Sequence, residues 1–192
     1  MKLGVVLLAA GKSLRFGSNK LLCDVDGQLM VCRVMDALAA LDAARFAAVV
    51  SCTEVAALAK AHGFEVIVND SPELGQARSV VLGAKSMEDM DAILFAVGDM
   101  PLLSAASLKL LVDRFKTSDM GIACLADETH RGNPAVFAKR YFPELLALSG
   151  DRGAKGILRA HEDDLLVVSC IGKNELADAD TPEALAAIRN KK

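Results

Sequence analysis

Residues 3–20 read LGVVLLAAGKSLRFGSNK, and the fold is read from where this run changes character. Leu3–Ala9 is continuously apolar rather than alternating, the pattern of a strand covered on both faces in a parallel sheet. It then breaks into a loop of small residues, glycines and cations. Lys2 ahead of Leu3–Ala10 superficially resembles a short secretory leader. The apolar stretch is near the lower length limit for one, however, and Lys12, Arg15 and Lys20 follow at once, so a buried first strand is the better reading.

Outward from that strand the chain alternates. Helical spacing over Leu29–Leu41 precedes a strand at Phe46–Cys52, and a helix at Glu54–His62 is stopped by Gly63. Phe64–Val68 is the next strand, and Gln76–Met87 is a long helix after Gly75. Ala92–Val97 is the most apolar strand in the middle of the chain and is expected at the centre. Ser104 caps a helix reaching Lys116. Met120–Ala126 and Leu165–Cys170 are further strands, with helices near Lys139–Leu148 and Ala154–His161 between them. A last helix opens at Thr181-Pro182-Glu183, with Thr as cap and Pro at the first helical position. The expectation is one α/β domain over residues 1–192, three layers α/β/α around a mostly parallel sheet, with no repeat and no linker.

Composition bounds the function. With 53% hydrophobic and 24% charged residues the chain can build one substantial core, and with no Trp and one Tyr that core is aliphatic. A net charge of −3 with scattered basic residues gives no stripe for a nucleic-acid backbone. No run reaches the roughly 20 apolar residues that span a bilayer. Cys23, Cys32, Cys52, Cys124 and Cys170 are odd in number and lack CxxC spacing, which fits reduced thiols in a cytoplasmic protein. Cys124 and Cys170 lie in apolar runs and read as core.

In such sheets ligands sit beyond the carboxyl ends of the strands. In the loop after the first strand, Gly11 and its small neighbours let backbone N–H groups approach phosphate oxygens. Arg15 offers a forked pair of donors and Lys20 a mobile charge. The spacing is neither a Walker loop nor the GxGxxG of dinucleotide-binding domains, which disfavours a redox domain. Asp99, in Gly98-Asp99-Met100-Pro101, ends the central strand; it suits Mg2+ or caps a turn. Asp178 and Asp180 are two apart, so in extended chain they face one side, toward a metal or as helix-capping acids. Arg131, Arg152 and Lys155 sit in glycine-rich turns, either as solvated charges or as contacts for an anionic acceptor.

LAAGKSLRFGSNKLL, GDMPLL, RGNPAVF, GDRGAK and DADTPEAL occur, in that order, over essentially the whole chain. Together they resemble the MobA-like nucleotidyltransferases, nearest to the branch that joins CMP to a molybdopterin-type cofactor. The resemblance implies a Rossmann-like nucleotidyltransferase fold and a Mg2+-dependent transfer with loss of pyrophosphate. It implies that Leu8, Ala9, Ala10 and Gly11 line the base and ribose. Gly11, Ser13, Arg15 and Lys20 would hold the triphosphate, and Asp99 the metal, assisted by Asp180 or Asp178. Ala10 stands where guanylyl-transferring relatives have Gly, and Asn69, Gly75 and Ser79 match the cytidylyl scheme, so CTP is the expected donor.

Arg131, Asn133, Arg152 and Lys155 would face the acceptor. A recipient molybdoenzyme or its chaperone would be a further partner. The chain departs from the pattern at Phe16, in place of Met, and at Asn133, where His is frequent. Arg78 beside Ser79 is a further candidate for a phosphate. Transfer of GMP, a sugar-phosphate acceptor, or a non-catalytic accessory role are the alternatives.

Overall fold

The apolar run at the start of the chain forms strand β1, Leu3–Ala9, and all seven of its residues are buried in the computed structural model. The structure describes residues 1–11, 19–150, 153–179 and 184–185. After β1 come a small hairpin of β2 (Asp24–Val25) and β3 (Gln28–Leu29), then α1 (Met30–Ala39), β4 (Arg45–Val50), α2 (Thr53–Ala61) and β5 (Glu65–Val68). They are followed by α3 (Gln76–Ser86), β6 (Ala92–Val97), α4 (Ala105–Lys116), β7 (Ile122–Ala126) and β8 (Arg131–Ala138). Helices α5 (Phe142–Leu146) and α6 (Lys155–Ala160) lead into β9 (Leu165–Ser169).

Seven strands form one sheet in the order β5-β4-β1-β6-β8-β7-β9. β1 lies between β4 and β6, parallel to both, with Val5 opposite Phe46 on one side and Leu94 on the other. The chain therefore reverses its direction of growth at β1, and a crevice opens there. β8 alone among these seven runs antiparallel to its neighbours, β6 and β7. The architecture is the expected Rossmann-like α/β sheet, mostly parallel, with helices on both sides.

Side-chain alternation explains the three layers. Leu3, Val5, Leu7 and Ala9 of β1 pack toward α1, α2 and α4, while Val6, Leu8 and Ala10 pack toward α3, α5 and α6. β6 repeats the division, with Leu94 on the first face and Ile93 and Phe95 on the second. Each fully buried aliphatic side chain contributes about 1.5–3 kcal/mol. Helix α3 lies close on the sheet: a Cβ at Gly83 would sit 2.6 Å from Val6 Cγ1, so only glycine admits this approach.

Three expectations change. The 131–138 segment, read as a loop at Arg131-Gly132-Asn133-Pro134, is strand β8. The single helix expected over Lys139–Leu148 is a 3₁₀ turn, Lys139–Tyr141, followed by the five-residue α5 with Pro143 in its first turn. Cys170 is only partly covered, whereas Cys124 is buried as expected. Burial, and then the charges of Glu175 and Asp127, still push the Cys170 thiol up to about 12. Ser104 caps α4 as read, accepting from Ser107 N at 3.1 Å. The last helix lies outside the described residues except for Ala184 and Leu185. Among the described residues no helix is long and apolar enough to cross a membrane.

Asp164 ties the far side of the sheet together. It accepts from Gly121 N at 2.8 Å, Arg140 Nη2 at 2.7 Å and the Tyr141 hydroxyl at 2.6 Å. Partial burial opposes ionisation, but the Tyr141 and Arg140 bonds and the Gly121 N–H outweigh it and hold the carboxyl down at about 2. A depressed carboxylate contributes stability that is complete above its unfolded value, near 3.8, and is lost as pH falls through about 2. The shift corresponds to at most about 2 kcal/mol, and solvent around the half-exposed Arg140 screens this to about 1 kcal/mol. Urea titrations from pH 5 down to pH 2 are expected to show that much extra loss in the parent over Asp164→Asn. Parallel curves would remove Asp164 from the acid response.

Candidate active site

A cleft of about 310 Å³ opens at the carboxyl ends of β1 and β6. Leu8, Ala9, Ala10 and Gly11 form one wall, Val97, Gly98 and Asp99 another, and Pro72, Gly75, Gln76 and Ser79 a third. β1 and β6 are hydrogen-bonded neighbours, and Gly98 N donates to Leu8 O at 3.0 Å, so the two motif-bearing strand ends are adjacent. Ser13 and Arg15 lie outside the described residues.

Lys20 closes the cleft. Asn19 caps the 3₁₀ turn Lys20–Leu22 by accepting from Leu21 N at 3.1 Å, which fixes the chain at the base of the Lys20 side chain. Lys20 Nζ then donates to Asp99 Oδ2 at 2.7 Å, with the two side chains 14% and 22% exposed. The other carboxylate oxygen, Oδ1, is buried and has no hydrogen-bond partner among the described residues. An unsatisfied buried oxygen costs about 1–3 kcal/mol, which a cation or a ligand donor would recover. The residues thus fit a divalent metal.

The carboxyl-terminal segment meets the same point. Ala179 N donates to Asp99 O at 3.2 Å, so the exposed Asp178 adjoins a residue bonded to the Asp99 backbone. Asp180 is outside the described residues. Among the described residues no three His, Cys, Asp or Glu side chains form a closed metal cluster. One or two carboxylates completed by water and phosphate oxygens is the coordination Mg2+ prefers.

Asn69 is placed differently from the other nucleotide-side residues. It is 2% exposed and stands behind the wall, not in it. Its Nδ2 donates to Ser79 Oγ at 3.0 Å, and its Oδ1 accepts from Ser71 N and Arg78 Nε, both at 3.1 Å. Arg78 also pairs with Asp70 at 2.6 Å, so this guanidinium is engaged with the 69–71 turn. Asn69 therefore sets the course of the chain to Gly75, whose φ of +91° only glycine adopts readily. Gly75 in turn starts α3, and the positive amino end of that helix opens onto the cleft.

On the acceptor side, β8 enters the sheet at the reactive edge because it runs opposite to β6. Ala135 is level with Phe95, the last pair of this ladder, and Arg131–Pro134 form the part of β8 beyond it. Asn133 Oδ1 is buried without a hydrogen-bond partner among the described residues. Arg131 is paired with Glu162. Lys155 is exposed at the start of α6, near Gly132. Gly150 O accepts from Ala77 N at 3.2 Å, so Gly150 abuts the first turn of α3. Arg152 is outside the described residues. Sequence reading missed Glu175, a 3% exposed carboxylate near this edge. Its serine partners, Ser107 and Ser104, lie 68 and 71 residues away in the chain, and no local spacing announces them.

A mostly parallel sheet carrying a ligand-sized cleft, a cation and an ion-paired carboxylate at its crevice is the architecture of an α/β nucleotidyltransferase. The chain belongs to the MobA-like NTP transferase domain family, whose model matches residues 5–165. It is 30% identical to a probable molybdenum cofactor guanylyltransferase of Pyrococcus horikoshii, over 81% of this chain and 78% of that protein. It is 33% identical to the purine catabolism protein PucB of Bacillus subtilis, over 96% of this chain and 94% of that one. In three dimensions it resembles a nucleotidyl transferase from Methanothermobacter thermautotroptrophicus, with a TM-score of 0.82 at 21% identity. That match covers 98% of this chain and 96% of the other.

Proposed function

We propose that this nucleotidyltransferase moves CMP from CTP onto the phosphate of a molybdopterin-type acceptor and releases pyrophosphate, with Mg2+ as cofactor. The supporting observation is the Lys20–Asp99 pair in the cleft, with one Asp99 oxygen engaged at 2.7 Å and the other buried and unsatisfied. An acceptor phosphate is already an anionic nucleophile, so no general base is required. Its oxygen forms the bond to the α-phosphorus, and the bond to the bridging oxygen breaks with its electron pair leaving on pyrophosphate. Lys20 and Arg15 balance charge on the triphosphate, and the Ser13 hydroxyl donates a hydrogen bond to it. Mg2+ held by Asp99, with Asp178 or Asp180, would neutralise charge on the phosphates. Arg131, Asn133, Arg152 and Lys155 orient the acceptor.

The preference for cytosine rests on Ala10. It is 4% exposed in the cleft wall, and a methyl group there would narrow a slot that a glycine would leave open for a purine. A second reading, transfer of GMP, is favoured by the relative named as a guanylyltransferase. Pyrophosphate release measured with CTP and GTP separates them. We expect CTP to be preferred about 10-fold or more, and Ala10→Gly to narrow that ratio, since one methyl in a pocket is worth roughly 1–3 kcal/mol. A parent enzyme faster with GTP decides for GMP transfer. No release with any triphosphate and acceptor would point to the accessory role.

A further inference from the structure

The buried carboxylate of Glu175 makes four hydrogen bonds to protein. Ser104 donates to Oε2 through N at 3.0 Å and Oγ at 2.8 Å. Ser107 Oγ and Gly172 N donate to Oε1 at 2.9 and 2.5 Å. Ser107 Oγ also accepts from Ile171 N at 2.8 Å. One carboxylate thus joins the amino end of α4 to the 171–175 turn, where the helix dipole favours its charge.

These bonds reach the cleft through the chain on either side of them. Asp99 precedes Ser104 by five residues, and Ala179 lies four residues beyond Glu175. The two stretches are tied at one end through Glu175 and at the other through Ala179 N to Asp99 O at 3.2 Å. Clamping both ends sets where Asp178 stands relative to the Asp99 carboxylate.

We infer that Glu175 is a positioning residue for the metal, holding the Asp178 segment against Asp99; the inference rests on the metal reading of Asp99. Glu175→Gln tests it with little change of shape. Each glutamate oxygen faces a backbone N–H, Ser104 on one side and Gly172 on the other, so the new amide NH₂ opposes a donor in either orientation.

The probe is Mn2+, an oxygen-preferring ion like Mg2+. It is titrated into nucleotide-free protein, with the unbound ion followed by electron paramagnetic resonance. The dissociation constant is expected to rise about 10-fold or more, as when partners that orient a metal's ligands are lost. The Mg2+ concentration for half-maximal pyrophosphate release should rise in step, with kcat at saturating Mg2+ nearly kept. A purely structural role would lower the melting temperature and leave the ion's dissociation constant alone, and that result overturns the inference.

If Glu175→Gln does not fold, Ser107→Ala decides. It removes the donors and acceptors of a single hydroxyl, and a rise of about 3-fold is expected from a loss near 0.6 kcal/mol, within the range for one hydrogen bond; an unchanged constant overturns the inference. A parent protein that takes up no Mn2+ instead overturns the metal reading of Asp99.

Discussion

Asp99→Asn is expected to lower turnover by at least about 10³-fold while moving the melting temperature by no more than about 4 °C. The two halves of this expectation have separate causes. The amide keeps the volume of the carboxylate and an oxygen for Lys20, so the 2.7 Å contact has a neutral counterpart. It removes the charge that makes the buried Oδ1 a ligand for a hard cation. Because the native carboxylate is incompletely satisfied, its loss removes a desolvation cost along with an ion pair. Asp99→Ala should be as inactive and remain folded. Calorimetric melting beside pyrophosphate release checks both halves, and a folded variant with ordinary turnover would sink the metal assignment.

Lys20→Met should reduce kcat about 10²-fold, the size expected for one charged group that stabilises a crowded, anionic transition state. Methionine fills similar space without the cation. Two roles can be separated by the kinetics. If Lys20 serves only to hold Asp99 in place, added Mg2+ restores the rate, because the metal supplies the counter-charge. If it acts on the phosphates, kcat stays low at saturating Mg2+ and KM for the triphosphate changes less than kcat. The second pattern is the expected one. Restoration of full kcat by Mg2+ would reassign Lys20 to a positioning role.

Much of the architecture was legible because long, strongly patterned segments carry their own signal. β1 and β6 are continuous apolar runs with a glycine just beyond, and α3 and α4 announce themselves by Gly75 and Ser104 at their starts. β8 was not legible, because its first four residues, Arg131-Gly132-Asn133-Pro134, hold three turn formers behind a charge and only Ala135–Ala138 is apolar. Pairing on both sides supplies what local preference lacks. The hairpin of β2 and β3 was overlooked although Asp26-Gly27, both with positive φ, is a strong turn pair; strands of two residues leave no periodicity to read.

In the cleft, Lys20 and Asp99 could be found from the loops they occupy, and Asn69, Gly75 and Ser79 from the family resemblance, though not what Asn69 holds. Asn69 and Glu175 act by holding other groups, and their contacts exist only after the chain has folded. The burial of a polar residue is the sign that would have separated them, and it is a property of the fold.

The reversed direction of β8 has a consequence for how this family can vary. Successive residues of a strand point to opposite faces, so Ala135 shares a face with Phe137 while Val136 belongs to the other. Inserting or deleting a single residue in the 127–130 turn, if taken up as a slip of the ladder, would exchange the two faces all along the strand. A change of two would keep them. Descendants of this chain should therefore lengthen or shorten that turn by even numbers, or hide an odd one in an irregularity such as the ladder already has opposite Cys124–Ala126, where β8 carries the extra residues between Arg131 and Ala135.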